Sequence, residues 1–459
     1  MKLFEHQEQM LKFHISHSCS MDLSEVGTGK SAPAVLWLRR VISENHIKRA
    51  LVIMPMTIIA NWGNEIKMWS DLTSVALVGS RAKRLELLEQ NVDIYLINYE
   101  GIKPIFSELL AAGFEAIICD EGHRIKNYKG SIKSPTNAFL VRELAKRARY
   151  RKLLTGTVLT NDVEDLWSLC QFVDPRIFST NHWGFRSRYM LNKNANKPFL
   201  AWPDWQPRAG AVDEIHKLLE PYAIRFCKHE VLKFLPPVLF QRRNIELSDE
   251  QRKAYNELKK HFVTELDGAT EPLAALQILG RVSKLLQICS GFAYRDDDKP
   301  YHFKQNAKLA ELRNVLEEIG NQRVIIWTAF KEEVEIIKGN LGTEDFGVLT
   351  GDTKQVDRQA IVDLFNAGSL RYLVCHPACA GEGLTILAPY SVYFSRGWKL
   401  GERLQSLGRN DRPGAEQFEN LTVVDLVCPG TIDDEVMAAL SEKKDLLDSI
   451  NPRSFKAMM

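Results

Sequence analysis

The chain lacks several features that mark whole classes of protein. No apolar run in its 459 residues approaches the ~20 residues that a membrane-spanning helix needs. The N-terminal segment MKLFEHQEQMLKF is too polar and too acidic for a signal peptide. The formal net charge is only +2, so bulk charge neither indicates nor excludes a nucleic-acid partner, and any basic surface must be local. These absences predict an intracellular, cytoplasmic protein with no membrane partner.

Cysteine pairs with the spacing of a metal site are also missing. The eight cysteines are scattered along the chain, and the closest pair is Cys375 and Cys379. No CxxC motif is combined with a second one, so we expect no zinc site and predict free thiols in a reducing compartment. The hydrophobic fraction of 45% and the charged fraction of 26% are typical of a globular protein with well-buried cores.

Apolar strand-like segments alternate with helical ones in two parts of the chain, which predicts two lobes built on parallel sheets. The predicted strands are 49–55, 92–98, 115–120 and 151–156 in the first part, and 323–330, 347–352, 371–376, 391–397 and 421–427 in the second. The segment between them is aromatic-rich and then helical. We therefore predict a first lobe at 1–165, a helical insertion and linker region at 166–300, and a second lobe at 301–459. Within the insertion, 248–265 has the length of an ordinary packed helix and not of a coiled-coil arm.

The segment SEVGTGKS (24–31) precedes a helical stretch. A glycine-rich loop that ends in Lys-Ser at the start of a helix points backbone N–H groups at phosphates. Lys30 would add positive charge there, and the hydroxyl of Ser31 can ligate magnesium. The strict eight-residue pattern has glycine at the position of Ser24. Taken alone, the motif is therefore compatible with a phosphate loop or with an ordinary turn and helix cap.

The segment DEGHRIKN (120–127) favours the phosphate loop. It follows the apolar run FEAIIC, so Asp120 and Glu121 are expected at the carboxyl edge of a parallel sheet, where ligands bind. Asp120 would hold a metal ion, and Glu121 would activate water for attack on a terminal phosphate. A surface turn with two acidic residues is the alternative, and it does not explain the phosphate-loop motif upstream.

Eight motifs occur in the order found in helicase-like motors of superfamily two. They are SEVGTGKS, LVIMPMTIIANWGNEIKMW, DEGHRIKN and LLTGTVLTN in the first lobe, and GDTKQVDRQAIVDLFN, CHPACAGEGLTILAP, YFSRGWKLGERLQSLGRNDRPG and CPGTIDDEV in the second. DEGHRIKN in particular resembles the Swi/Snf family of DNA-translocating ATPases, and the resemblance runs from Leu3 to about Leu446. It implies an α/β fold of two RecA-like lobes with helical insertions between and on them.

The resemblance implies a set of nucleotide-binding residues. Gln7 matches the glutamine that hydrogen-bonds adenine, and Gln405 would sit beside Arg409 and Arg412 as a positioning residue. Arg409 and Arg412 resemble arginine fingers that stabilise charge on the γ-phosphate. Together with the phosphate loop and the acidic pair, the implied contacts to ATP and Mg²⁺ are Gln7, Gly27, Thr28, Gly29, Lys30, Ser31, Asp120, Glu121, Gly383, Gln405, Arg409 and Arg412.

Residues that couple ATP to a DNA track are implied in the same way. Thr155 and Thr157 match the linking motif between the ATP site and the DNA path, and His123 matches a relay between the lobes, although a locally satisfied histidine is the alternative. The implied DNA contacts are Thr57, Asn61, Trp62, Tyr99, Thr353, Arg358 and Trp398. Such groups suit phosphate contacts that position the protein without reading sequence, while Trp398 could also be a core residue.

Three further positions depart from the family pattern. Val158 replaces a common proline, Ile386 a common asparagine, and His376 the usual serine. None of them removes a residue assigned to phosphate chemistry.

The implied function is an ATP-dependent double-stranded DNA translocase, a DNA-dependent ATPase that remodels DNA or protein–DNA complexes. The segments 219–237, 285–292 and 306–316 resemble the family's helical insertion, whose members track along intact duplex. The alternatives are a strand-separating or annealing helicase on forked DNA, and a nucleotide-gated DNA-binding adaptor with little turnover. The motor fills nearly the whole chain, which favours a bacterial or viral member. A protein partner that gives specificity could dock on the loop 190–210, or that loop could simply be packed.

Overall fold

The computed structural model of the chain describes residues 2–156, 163–195, 205–268, 275–294, 299–341, 345–377 and 384–450. Four positions discussed above, Thr157, Val158, Cys379 and Gly383, lie outside these ranges, as do residues 196–204 of the loop 190–210. None of the helices in the described ranges is long and apolar enough to cross a membrane.

The described residues divide into two compact units. The first includes Met1–Leu191 and Pro207–Lys233, and the second includes Phe234–Glu442. Residues 166–300, which the sequence sets apart as an insertion and linker, are thus divided between the two units, and the three-domain division stays a prediction. A separate two-stranded sheet is formed by β7 (Met190–Asn192) and β8 (Trp205–Pro207).

The first unit is built on a seven-stranded parallel sheet in the order β3-β4-β2-β5-β6-β1-β9. Its strands are β1 (Cys19–Asp22), β2 (Ala50–Met54), β3 (Ser74–Ala76), β4 (Ile94–Asn98), β5 (Ala116–Asp120), β6 (Tyr150–Leu154) and β9 (Ala223–Ile224). The central strands β2 and β4 are buried along their whole length, as expected for a sheet covered on both faces. Since all strands are parallel, their carboxyl ends lie on one edge.

Helices connect these strands and cover the sheet. They are α1 (Glu5–Ser16), α2 (Ser31–Ser43), α3 (Ile59–Trp69), α4 (Arg81–Leu88), α5 (Tyr99–Ile102), α6 (Phe106–Ala112), α7 (Asn137–Ala145), α8 (Asp165–Val173), α9 (His182–Tyr189), α10 (Ala211–Leu219) and α11 (Lys228–Val231). Side-chain caps fix where several begin: Ser80 accepts from the backbone N–H of Lys83, and Thr136 from that of Phe139. These caps satisfy amides that a helix leaves without an internal partner.

The second unit contains a six-stranded parallel sheet in the order β10-β17-β16-β13-β15-β14. Its strands are β10 (Val238–Asn244), β13 (Val324–Trp327), β14 (Phe346–Leu349), β15 (Tyr372–Cys375), β16 (Tyr390–Tyr393) and β17 (Leu421–Val427), and a hairpin joins β11 (Phe292–Tyr294) to β12 (Pro300–His302). Its helices are α12 (Asp249–Gly268), α13 (Ala275–Cys289), α14 (Ala307–Ile319), α15 (Lys331–Leu341), α16 (Gln355–Asn366) and α17 (Leu400–Leu407); α18 (Ile432–Ile450) follows β17. The predicted α/β class with two parallel sheets is confirmed.

A charged pair is buried in the core of the second unit. The ammonium of Lys308 lies 2.7 Å from a carboxylate oxygen of Asp433, and both side chains are at most 2% exposed. Burial acts to lower the pKa of Lys308, but Asp433, with smaller contributions from Cys428 and Cys289, outweighs it, so the pKa is raised. Cys289, Cys428 and Asp433 lie close enough to share a metal ion. Lys308, however, already supplies positive charge beside Asp433.

We expect Lys308→Met to destabilise the second unit by about 3–5 kcal/mol, because the substitution leaves the buried carboxylate of Asp433 without its counter-charge. Equilibrium urea unfolding measures this change. The matched control is Lys331→Met, which removes the same cation from an exposed pair with Asp352 and should change stability by less than ~1 kcal/mol. Equal effects of the two variants would contradict the assignment.

Candidate nucleotide-binding site

The predicted phosphate loop follows β1 and leads directly into α2. Gly27 and Gly29 have positive φ angles of 91° and 78°, a conformation that side-chain-bearing residues rarely adopt. The Lys30 ammonium donates to the carbonyl oxygens of Ser24 (2.7 Å) and Glu25 (3.0 Å). Thr28 is buried, and Ser31 is the first residue of α2. This arrangement brings the Lys30 ammonium, the Ser31 hydroxyl and the N-terminus of α2 together after the carboxyl end of β1.

Ser24 stands where the phosphate-loop pattern has glycine, and the structure gives its side chain a role. The hydroxyl oxygen of Ser24 accepts from the backbone N–H of Phe226 at 3.0 Å. Next to it, a carboxylate oxygen of Glu25 accepts from the backbone N–H of Lys228 at 2.8 Å. The chain after β9 thus runs along the start of the loop and holds it in place.

Helix α1 packs its first turn against the same loop. The Gln7 side-chain amide donates to the carbonyl oxygen of Gly29 (3.1 Å), and its oxygen accepts from the backbone N–H of Phe4 (3.0 Å). The His6 ring lies 2.9 Å from the carbonyl oxygen of Thr28. Sequence reasoning did not single out His6, and only its place beside Gln7 could have indicated it.

The acidic pair ends β5, as predicted. One carboxylate oxygen of Asp120 accepts from the backbone N–H of Glu121 at 2.8 Å, and Glu121 has a left-handed φ of 51°. Burial, followed by the charge of Glu121, raises the pKa of Asp120 to about 7, while the charge of Lys30 acts to lower it. Strained backbone and a perturbed carboxyl together are typical of functional sites.

Trp62 and Tyr99, predicted as DNA contacts, point inward. Their side chains are only 2% and 1% exposed. The Trp62 indole N–H donates to a carboxylate oxygen of Asp120, and the Tyr99 hydroxyl donates to the backbone carbonyl oxygen of Asp120, each at 2.7 Å. Side chains buried in this way hold the acidic residue and present little surface to a track. The spacing of Ile59, Trp62 and Ile66, all buried on α3, was the helical signal for this orientation.

Two of the three predicted coupling residues lie beside the acidic pair or the phosphate loop. The His123 ring is 3.3 Å from a carboxylate oxygen of Glu121, so its observed contact is within the site. Thr155 is buried, and its backbone N–H donates to the carbonyl oxygen of Asp22 at 2.9 Å. A Cβ atom on Gly156 would lie 2.7 Å from Val26 of the phosphate loop, which explains glycine there.

The side chains at this edge fit a magnesium ion. Asp120 and Glu121 are consecutive carboxylates whose mutual repulsion and burial disfavour the charged state of Asp120, and a divalent cation would offset both effects. Carboxylate and hydroxyl oxygens are the donors that magnesium prefers. Asp120 and Ser31 are therefore the residues that would hold such an ion.

In the second unit, Arg409 and Arg412 lie close together near the end of α17. The guanidinium groups of both donate to the carbonyl oxygen of Leu384, at 3.4 Å from Arg409 and 3.1 Å from Arg412, and Arg412 also donates to the Thr385 hydroxyl at 3.0 Å. Burial, followed by the charge of Arg409, lowers the pKa of Arg412 to about 9. Gln405 is half-buried on α17. Neighbouring guanidinium groups repel each other, and a phosphate anion would relieve that repulsion.

The remaining predicted DNA contacts differ in exposure. Asn61 is exposed and Thr57 half-buried at the start of α3, and Trp398 is half-buried. Arg358 donates to the backbone carbonyl oxygens of Thr353 (3.1 Å) and Thr350 (3.3 Å), so it braces the turn after β14.

The described departures from the family pattern have local partners. Ile386 is fully buried in the core, and its backbone N–H donates to the carbonyl oxygen of Arg409 at 3.1 Å. The His376 ring lies 3.1 Å from the carbonyl oxygen of Ala329. Both substitutions are therefore accommodated without removing a residue of the acidic pair or the phosphate loop.

We expect Gly29→Ala to destabilise the first unit by about 1–3 kcal/mol. The alanine would have to keep a positive φ, and its methyl group would overlap the side chain of Gln7. Urea unfolding measures the change. The matched control is Gly63→Ala on α3, where a Cβ meets nothing within 4 Å and should stabilise the helix by up to ~1 kcal/mol. Wild-type stability of the Gly29 variant would show that the packing between α1 and the loop is misassigned.

Comparison with known proteins identifies the family. The model of the "SNF2-related domain" matches residues 6–291, and that of the "Helicase conserved C-terminal domain" matches residues 307–414. The chain is similar to the nuclear protein STH1/NPS1 of Saccharomyces cerevisiae, with 26% identity over 96% of this chain and 34% of that protein. It is equally similar to a SWI/SNF-related, matrix-associated, actin-dependent regulator of chromatin (subfamily A member 1) of Mus musculus, with 26% identity over 93% of this chain and 41% of that protein.

The chain spans well under half the length of these curated relatives. Among solved structures, the Sulfolobus solfataricus SWI2/SNF2 ATPase core in complex with dsDNA has 22% identity and a TM-score of 0.45, over 98% of this chain and 93% of that one. The first family model alone covers more than half of the chain. The predicted resemblance is confirmed: the chain belongs to the SNF2-related family of superfamily-two, helicase-like proteins.

Proposed function

We propose that this chain is a DNA-dependent ATPase that hydrolyses ATP to move along double-stranded DNA and so remodels DNA or protein–DNA complexes. The observation that carries the proposal is the acidic pair Asp120–Glu121 at the carboxyl end of β5, in a sheet whose strand β1 leads into the phosphate loop. The charge of Lys30 acts on the pKa of Asp120, which supports one common site for these groups.

The residues of the first unit have distinct parts in this proposal. Lys30 leaves the carbonyl oxygens of Ser24 and Glu25 and binds the phosphates of ATP, which the loop N–H groups also bind. Glu121 accepts a proton from the attacking water, and His123 orients its carboxylate. Asp120 and Ser31 would hold magnesium, which would neutralise phosphate charge.

Gln7 is the residue proposed to bind the adenine base. An amide offers both a donor and an acceptor, which suits the edge of a purine. In the structure the Gln7 amide is held by Phe4 and Gly29, so it is already oriented at the mouth of the phosphate loop. Arg409 and Arg412 are proposed as the arginine fingers, and their mutual repulsion supports an anionic ligand.

Duplex DNA is the proposed track. Several relatives are named as chromatin-remodelling proteins, among them snf22 and snf21 of Schizosaccharomyces pombe. In this chain, Thr57 and Asn61 at the start of α3 offer hydroxyl and amide groups of the kind that contact phosphates. Partners that supply specificity, and any larger assembly, belong to the same proposal.

We expect linear duplex, the proposed track, to stimulate ATP hydrolysis more strongly than single-stranded DNA or RNA. All nucleic acids are compared at one fixed salt concentration, since phosphate contacts depend steeply on ionic strength. The measurement is the steady-state ATPase rate with each nucleic acid. An absence of stimulation by duplex at low salt would contradict the proposal. Displacement of a third strand from a triplex, without separation of a fluorescent fork, would distinguish translocation from strand separation.

We expect Glu121→Gln to lower kcat for ATP hydrolysis by about 10²–10⁴-fold, because it removes the proton acceptor and preserves the side-chain shape. Nucleotide binding, measured with a fluorescent ATP analogue, should persist. The matched control is Glu86→Gln on α4, where the carboxylate pairs with Lys83 on the surface. Wild-type turnover by the Glu121 variant would contradict its role as the proton acceptor, whereas normal action on DNA despite lost turnover would favour a DNA-binding adaptor.

A further inference from the structure

The indole of Trp62 joins helix α3 to the acidic pair. Its N–H donates to one carboxylate oxygen of Asp120 at 2.7 Å, and the backbone N–H of Glu121 donates to the other at 2.8 Å. The Trp62 ring is packed in the core cluster that also contains Ile59 and Ile66. Because both oxygens of the carboxylate are engaged and the ring cannot turn freely, the orientation of Asp120 is fixed by α3.

Tyr99 gives the backbone of Asp120 a second anchor. Its hydroxyl donates to the carbonyl oxygen of Asp120 at 2.7 Å, and the residue is 1% exposed. Trp62 and Tyr99 lie on the segments that follow β2, the strand beside β5, and β4, the next strand in the order β4-β2-β5. Asp120 is therefore held from two adjacent strand ends.

The segments that hold Asp120 also reach the surface. Asn61, the residue before Trp62, is exposed, and Glu100, the residue after Tyr99, is exposed as well. Consecutive residues on α3 thus face opposite ways, one toward solvent and one toward the carboxylate. A contact that shifts α3 at Asn61 must shift the indole, since the two share one turn of helix.

We propose that Trp62 is a positioning residue that couples contact with duplex DNA at the start of α3 to the orientation of the metal-binding carboxylate Asp120. The inference rests on the proposed function, because it takes Asp120 as a magnesium ligand and Asn61 as a track contact. Hydrogen-bond partners behind a metal ligand commonly change metal affinity by about 10–100-fold when they are removed. Trp62 is such a partner, and it is attached to the DNA-facing helix.

The test uses Trp62→Phe, which keeps an aromatic ring in the core and removes the N–H donor. The matched control is Trp37→Phe, which makes the same substitution in the same core cluster, at a ring that lies 4.6 Å from the Lys152 ammonium. Mn²⁺ binding in the presence of a non-hydrolysable ATP analogue is measured by electron paramagnetic resonance, with and without linear duplex.

For the wild type and Trp37→Phe, we expect duplex to change the Mn²⁺ dissociation constant by at least ~5-fold, the lower end of typical coupling between sites. For Trp62→Phe, Mn²⁺ should bind about 10-fold more weakly, and the effect of duplex should fall below ~2-fold. In steady-state assays the Trp62 variant should need more Mg²⁺ for half-maximal rate, and saturating Mg²⁺ should restore kcat. A purely structural role would not produce this rescue.

Wild-type Mn²⁺ affinity and an unchanged duplex effect in Trp62→Phe would overturn the inference and leave the proposed function intact. Weaker Mn²⁺ binding with the full duplex effect would overturn the coupling. No nucleotide-dependent Mn²⁺ binding in the wild type would defeat the proposed function and the inference with it. If Trp62→Phe melts well below Trp37→Phe, the variant Tyr99→Phe is measured instead, since it removes only the hydroxyl that holds Asp120. An unchanged effect of duplex on Mn²⁺ binding in Tyr99→Phe would also overturn the coupling.

Discussion

The 2.7 Å hydrogen bond from the Trp62 indole to Asp120 stabilises a carboxylate that its surroundings otherwise disfavour, and the site of the first unit depends on this bond. A parallel sheet brings strand ends together on one edge, where β5 delivers two consecutive carboxylates next to a phosphate loop. Burial and repulsion both oppose charge on Asp120. Trp62 and Tyr99, which follow β2 and β4, donate hydrogen bonds to Asp120 and hold it in place.

The phosphate loop shows how a departure from a motif can be absorbed by the rest of the fold. Serine at position 24 offers an acceptor to the backbone N–H of Phe226, and Glu25 offers another to that of Lys228. The segment from Phe226 to Lys228 comes shortly before the boundary between the two compact units at Lys233 and Phe234. The proposed phosphate loop is therefore held by the segment that follows β9.

Apolar runs in the sequence predicted the buried strands well, whereas motifs predicted the positions of site residues but not their orientations. The apolar runs of β2, β4 and β5 were predicted nearly to their ends because a sheet buried on both faces needs continuous apolar strands. β1 is short and ends in aspartate, and β10 is an edge strand with exposed polar residues, so neither has such a run. The motifs identified the acidic pair and the phosphate loop. They did not give the direction of Trp62 and Tyr99, because being next to a strand end does not determine whether a side chain faces inward.

Glu121 combines a left-handed backbone, at φ 51°, with a negative charge beside another buried carboxylate. Glycine and asparagine adopt that backbone more readily than glutamate, and neither repels Asp120. For folding alone, glutamate is thus a poor choice at this position, and we expect its replacement by glycine or asparagine to raise the melting temperature. A copy of this chain freed from selection for turnover would be expected to lose Glu121 early and to become more stable by doing so.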